Sequence, residues 1–190
     1  MNREIRQEEV YQPAEDTLLL LKAALDEAWP EDRAIEIGCG RALISRGIAP
    51  KVESILATDI NPHAVRLAKE YGLVALRADL FKGIEAEFDL VIFNPPYLPT
   101  SKEERIEGWL NYALDGGATG RDIISRFLED LKNHLSPRGR ALLLVSSVTG
   151  LDEVKEMARS DGLEATEVAS DRYFFEQLYV IKLRVAHGSS

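Results

Sequence analysis

The chain has 190 residues, 45% of them hydrophobic and 29% charged, with a formal net charge of −9. That size and balance suit one domain with a real core, and no apolar run approaches the roughly 18 residues of a membrane helix. A single cysteine, Cys39, excludes an internal disulfide and a cysteine-cluster zinc site, while acid in excess with no sustained basic run disfavours a duplex-binding surface.

The first six residues carry charge but no apolar stretch behind it, so they do not read as a signal peptide. Cytoplasmic location is the expectation. Pro13, followed by Glu15 and Asp16, suits a helix start. The leucines at 18–21 give that helix a strongly apolar face, and Trp29-Pro30 closes it.

Short apolar strands and helices then alternate. Residues 34–37 read as a strand and 41–49 as a helix; 54–59 as a strand; 62–71 as a helix capped by Asn61. Residues 73–78 and 88–93 read as the third and fourth strands. A helix over 120–135 should stop at Ser136-Pro137-Arg138-Gly139, and 141–146 should be the fifth strand. A helix over 151–160 ends at Asp161-Gly162, and strands at 164–168 and 178–185 complete the pattern.

Alternation this regular predicts an α/β, doubly wound, largely parallel sheet. The last two strands are joined too briefly for a parallel crossover and should pair antiparallel. The expectation is one domain over 1–190: an N-terminal segment and helix to residue 30, a core over 31–185 and a frayed tail over 186–190.

The stretch most loaded with chemistry is Phe93-Asn94-Pro95-Pro96-Tyr97. Two prolines end the preceding strand by removing two donors and fixing φ twice. They leave a stiff bend that holds an amide, a carbonyl and an aromatic ring where open α/β sheets bind ligands. Upstream, Glu36-Ile37-Gly38-Cys39-Gly40-Arg41-Ala42 is a glycine loop after the first strand. Gly38 and Gly40 permit a tight turn and close ligand approach. Leu43 stands where a dinucleotide fingerprint needs its third glycine. Asp59, ending the second strand, can accept both hydroxyls of a ribose. Asp79, ending the third, can accept from an adenine amino group with Leu80 along the ring. A lining of carboxylates suits a cationic sulfonium and repels a pyrophosphate. His63, His134 and His187 are scattered in sequence and receive no role.

On these residues the chain resembles the class I S-adenosylmethionine-dependent methyltransferases. More narrowly, it is similar to the short HemK-type protein-glutamine N5-methyltransferases of archaea and eukaryotes. The most specific match is Val10-Tyr11-Gln12-Pro13-Ala14-Glu15-Asp16-Thr17. It is joined by Glu36 to Gly40, Thr58-Asp59-Ile60-Asn61-Pro62, Asn94-Pro95-Pro96-Tyr97 and Asp115-Gly116-Gly117-Ala118-Thr119-Gly120-Arg121-Asp122. Gln12 and Ala42 are small departures.

The resemblance implies a Rossmann-like core with a seven-stranded, mostly parallel sheet, a final antiparallel strand and helices on both faces. It implies S-adenosylmethionine held by Thr17, Glu36, Gly38, Gly40, Asp59, Asp79, Leu80 and Asn94. It implies a target amide held by Asn94, Pro95, Pro96 and Tyr97, namely the Gln of a Gly-Gly-Gln motif in a class I peptide-release factor. It further implies a small zinc-binding activator subunit on the edge of the third strand.

An amide nitrogen is a poor nucleophile, so catalysis is expected from positioning. The Asn94 side-chain oxygen and the Pro95 carbonyl would accept from the target NH₂ while Tyr97 stacks on the amide plane. No metal is needed for this chemistry. The same bend could instead hold the exocyclic amine of a nucleobase in DNA or RNA, or a lysine. A non-catalytic cofactor-binding scaffold is the remaining alternative.

Overall fold

A computed structural model describes residues 10–100, 108–173 and 175–186. The first residues, read above as carrying no signal, and the tail at 187–190 lie outside that range. Among the described residues no helix is long and apolar enough to cross a membrane.

Helix α1 (Glu15–Glu27) leads into β1 (Arg33–Ile37), α2 (Leu43–Ile48), β2 (Ser54–Asp59), α3 (Pro62–Glu70), β3 (Val74–Arg77) and β4 (Phe88–Phe93). Then come α4 (Trp109–Leu114), α5 (Asp122–Leu131), β5 (Leu135–Ser146), α6 (Leu151–Ser160), β6 (Leu163–Arg172) and β7 (Gln177–Val185). The strands form one seven-stranded sheet in the order β3-β2-β1-β4-β5-β7-β6. All pairings from β3 across to β5 are parallel, and β7 runs antiparallel to both β5 and β6.

The sheet is coated on both faces, so its central strands are apolar throughout rather than alternating. β4 is buried at all six positions. Its Val91 and Phe93 pack on the α5–α6 side with Phe127, Leu128 and Val154. Leu90 and Ile92 face the α1–α2 side with Leu20, Ala24, Ile44 and Ile48. Burying each such branched side chain stabilises the fold by about 1.5–3 kcal/mol.

Several elements differ from the sequence reading: β6 runs Leu163–Arg172 where 164–168 was expected, and α5 ends at Leu131 rather than 135. The expected stop at residues 136–139 lies inside β5. Leu135 pairs with Phe88 and Arg140 with Leu90, and the intervening residues bulge out. Asp89 anchors that bulge: its carboxylate accepts from the Ser136 hydroxyl (2.6 Å), the Arg138 guanidinium (3.1 Å) and the Arg33 N–H (3.0 Å). Burial alone would raise its pKa, yet these donors hold it at about 2. The second helix begins at Leu43, since the residues before it form the glycine loop, and it continues as a 3₁₀ turn over Ala49–Lys51. α4 has no counterpart in the sequence reading; it is only six residues long.

Candidate functional site

Parallel strands place their carboxyl ends together, and a crevice opens where the chain leaves β1 for β2 on one side and lies beside β4 on the other. A cavity of about 510 Å³ occupies that crevice. Its lining includes every residue singled out from the sequence: Thr17, Glu36, Gly38, Gly40, Asp59, Asp79, Leu80, Asn94, Pro95, Pro96 and Tyr97.

The glycine loop runs Gly38 (φ 66°), Gly40 (φ 51°) and Ala42 (φ 55°) through left-handed conformations. Ala42 is a buried left-handed N-cap of α2. The strain explains why glycine would be favoured there, and alanine bears it at a cost of about 1–2 kcal/mol. Asp59 fastens the loop. Its two oxygens accept the N–H groups of Gly40 (2.9 Å) and Asn61 (2.8 Å). Burial raises its pKa against the pull of those donors. A carboxylate has about four lone-pair positions, so acceptor capacity toward a ligand hydroxyl remains.

Glu36 is 4% exposed and accepts the Ser45 N–H at 2.8 Å and the Ser45 hydroxyl. It thereby tethers the first turn of α2 to the end of β1. Burial pushes its pKa up to about 8, with the Ser45 hydrogen bonds pulling the other way. Asp79 accepts from the Arg126 guanidinium of α5 at 2.8 Å. The lining is therefore less uniformly acidic than the sequence suggested. Asp16, Glu36, Asp59, Asp79 and Glu176 share it with Arg41 and Arg126.

The Asn94 amide nitrogen donates to Asp16 Oδ2 at 3.0 Å. Its Oδ1 is buried with no hydrogen-bond partner. Buried acceptors without partners are rare in folded proteins, so the arrangement presents one oriented, unspent acceptor. Asp16, 3% exposed, also accepts from the Tyr11 hydroxyl (3.0 Å) and from the N–H (2.5 Å) and hydroxyl (3.1 Å) of Thr17. The α1 leader motif thus fixes which way the Asn94 amide faces. Sequence reading quoted Asp16 as an acid at a helix start without giving it this work, because the contact to Asn94 spans 78 positions. Burial followed by the Asp16 charge pushes the hydroxyl pKa of Tyr11 and Tyr97 up, so both stay neutral.

The glycine-rich loop 115–122 clamps the bend from behind. Leu98 and Asp115 form a parallel bridge, and the Gly116 N–H donates to the Leu98 carbonyl at 3.0 Å. A Cβ on Gly116 would lie 2.9 Å from the Pro96 carbonyl oxygen, and one on Gly120 would collide with that of Tyr97. The loop needs glycine there because its backbone rests against the bend itself.

The Methyltransferase small domain family matches residues 14–107. A Methanocaldococcus jannaschii protein, provisionally named a protein N5-glutamine methyltransferase, is 42% identical over 91% of this chain and 90% of its own length. Human methyltransferase HEMK2 is 32% identical over 92% of this chain and 89% of its own. Among solved structures, the E. cuniculi Mtq2–Trm112 complex, responsible for methylating the eRF1 termination factor, contains a chain 26% identical. That chain superposes with a TM-score of 0.78 over 94% of this chain and 99% of its own length. With a cavity at the switch point and an Asn-Pro-Pro-Tyr bend at its wall, the chain belongs to the HemK-type branch of the methyltransferases.

Gly120→Ala is expected to retain the fold and lose at least about tenfold in methyl-transfer rate, because displacement of the bend misplaces the reacting groups. Single-turnover kinetics beside circular dichroism would measure it; a wild-type rate would contradict the clamp.

Proposed function

We propose that this chain is an S-adenosylmethionine-dependent N-methyltransferase acting on the glutamine side chain of a Gly-Gly-Gln motif in a class I peptide-release factor. The observation that carries the chemistry is the unpartnered, buried Asn94 Oδ1 beside an amide nitrogen already spent on Asp16. A planar NH₂ is the group such an acceptor completes. The substrate rests on relatives: besides those above, the Schizosaccharomyces pombe eRF1 methyltransferase catalytic subunit mtq2 is 27% identical over 93% of this chain and 89% of its own length.

The residues fit the cofactor. Gly38 and Gly40 would let the backbone approach it, Asp59 would accept from the ribose, and Asp79 with Leu80 would receive the adenine. Thr17, Glu36 and Asn94 line its amino-acid and methyl end. When bound, S-adenosylmethionine supplies an electrophilic methyl group on a cationic sulfur. Asn94 Oδ1 and the Pro95 carbonyl would accept hydrogen bonds from the two N–H groups of the target amide and orient its nitrogen; methyl transfer would form the N–C bond as the S–C bond breaks, leaving S-adenosylhomocysteine and releasing one N–H proton to solvent. Tyr97 stacks on the amide plane, and Pro95 and Pro96 keep the acceptors from relaxing. We assign residues 1–190 to one catalytic domain working in the cytoplasm.

The sheet's two edges support an activator partner. β6 presents Glu164, Glu167 and Asp171 and a register shift between Glu167 and Ala169, all features that discourage strand addition. β3 instead exposes Val74 (71%) and Leu76 (44%) on a four-residue edge. We assign that edge to a small activator subunit.

Glu36 gives a pH prediction. The fold raises its pKa from 4.5 to about 8, so its neutral form is the better tolerated. That stabilisation is complete below about pH 4.5 and is lost as pH rises through about 8. A cationic ligand nearby favours the ionised form. Affinity for S-adenosylmethionine should therefore rise with pH between about 5 and 8, by up to about tenfold per unit with proton release. S-adenosylhomocysteine, which keeps the α-ammonium and carboxylate but lacks the sulfonium charge, should show a smaller rise. Calorimetry in buffers of different ionisation enthalpy reads both, and identical flat profiles would contradict it.

The function is tested by incubating the chain, with and without the activator, with radiolabelled S-adenosylmethionine and release factor, tRNA or DNA in parallel. Label in the release factor alone supports the proposal; label in a nucleic acid would transfer the chemistry to a nucleobase.

A further inference from the structure

We infer that Glu176 is a further substrate-binding residue, whose carboxylate accepts the main-chain N–H of the glycine next to the target glutamine. The inference rests on the substrate reading above and gives that substrate a contact beyond its side-chain amide.

Topology brings Glu176 to the acceptor end of the site. β7 runs antiparallel to β5 with Leu178 opposite Ser146, so the residue before β7 stands at the carboxyl ends of the parallel strands, as Asn94 does. Backbone bonds fasten the position beside it. The Ser147 N–H donates to the Gln177 carbonyl at 2.8 Å, and the Gln177 N–H donates to the Ser147 hydroxyl at 3.0 Å. Ser146, fully buried, directs the carboxylate itself. Its hydroxyl accepts the Val148 N–H at 3.2 Å and donates to Glu176 Oε2.

Glu176 lines the cavity together with Tyr97. Its charge reaches the Tyr97 hydroxyl, whose pKa is raised by burial first, then by Asp16 and then by Glu176. The two carboxylates differ in what they have left to give. Asp16 accepts from Tyr11, from Asn94 and twice from Thr17, which fills the roughly four lone-pair positions of a carboxylate. Glu176 is half-buried, and its Oε1 makes no hydrogen bond among the described residues. It is the unspent carboxylate oxygen on the target side of the cavity.

The chemistry of the substrate narrows the donor. Asn94 Oδ1 and the Pro95 carbonyl serve the side-chain amide, so Glu176 is left for the segment that carries it. In a Gly-Gly-Gln motif the residues before the target have no side chain, and their main-chain N–H groups are the donors they offer. Such a bond to a carboxylate is charge-assisted and about twice as strong as one to a neutral acceptor. A glycine also brings its backbone close without a Cβ in the way. A nucleic acid presents phosphates instead, which a carboxylate repels, so the same residue favours a polypeptide over a nucleobase target.

Glu176→Ala and Glu176→Gln would be compared with the wild type, the proposed activator present throughout, using intact release factor as acceptor. For Glu176→Ala, KM for the release factor should rise about tenfold, the scale of one hydrogen bond to a charged group, with kcat and S-adenosylmethionine affinity within twofold. Glu176→Gln, which keeps an uncharged acceptor, should lose roughly threefold. Release factor with proline in place of the glycine next to the target lacks the N–H, and the wild type should use it at least about tenfold less well. An unchanged KM in Glu176→Ala, a loss confined to kcat or cofactor affinity, or full use of the proline-bearing substrate overturns the contact while leaving the substrate reading intact. Wild-type protein that neither binds nor methylates the unaltered release factor overturns both.

Discussion

Replacing Asn94 by alanine is expected to slow methyl transfer by about two to three orders of magnitude, the usual cost of deleting one preorganised hydrogen-bonding group from an active site. The side chain does not hold the fold together. Its nitrogen makes one hydrogen bond, to Asp16, and its oxygen makes none. The variant should therefore fold and bind S-adenosylmethionine within a few-fold of the wild type by calorimetry. Asp16→Asn should show a milder version of the same defect, because it releases the amide's orientation rather than removing the acceptor. The two substitutions should be far from additive, since both act on one oxygen. Retained activity in Asn94→Ala would remove the acceptor from the mechanism.

Arg140→Met should cost about 3–5 kcal/mol of stability, the range for breaking a buried ion pair. For a chain of this length that corresponds to roughly 10 °C in melting temperature. Arg140 is fully buried in β5. Its guanidinium donates to Asp32 at 3.1 and 2.7 Å, to the Asp89 carbonyl at 2.9 Å and to the Glu27 carbonyl. The Trp29 ring lies 4.2 Å from the guanidinium carbon. One side chain thus ties the end of α1 and the turn before β1 to the middle of the sheet. Methionine would leave Asp32, itself 0% exposed, with the Trp29 N–H hydrogen bond but no counter-charge. Adding Asp32→Leu to Arg140→Met should recover much of the loss. Thermal unfolding of the two variants measures this. A single variant as stable as the wild type would show that the network does not hold the turn.

Much of the architecture is legible in the sequence because its central strands are short, wholly apolar and sharply bounded. β2, β4 and α6 fall on the expected residues. The antiparallel end follows from loop length alone, and the structure bears it out. Residues 136–139 mislead because Ser, Pro and Gly are turn-formers locally. Only Asp89, 47 positions away from Ser136, makes a bulge the better solution. Asp16 and Arg126 are missed for a similar reason. Their work lies in contacts to Asn94 and Asp79, 78 and 47 positions away, and no local pattern marks them. The candidate site was readable because each strand end contributes a short, chemically distinct motif; the groups that aim those motifs were not.

The most direct measurement is to map the methyl group itself. Release factor incubated with the chain, the proposed activator and S-adenosylmethionine would be digested and sequenced by tandem mass spectrometry, beside the Asn94→Ala variant. The account expects one added methyl on the side-chain nitrogen of the glutamine in Gly-Gly-Gln, and none with the variant. Methylation at any other residue of the release factor, or equal modification by the variant, would contradict it.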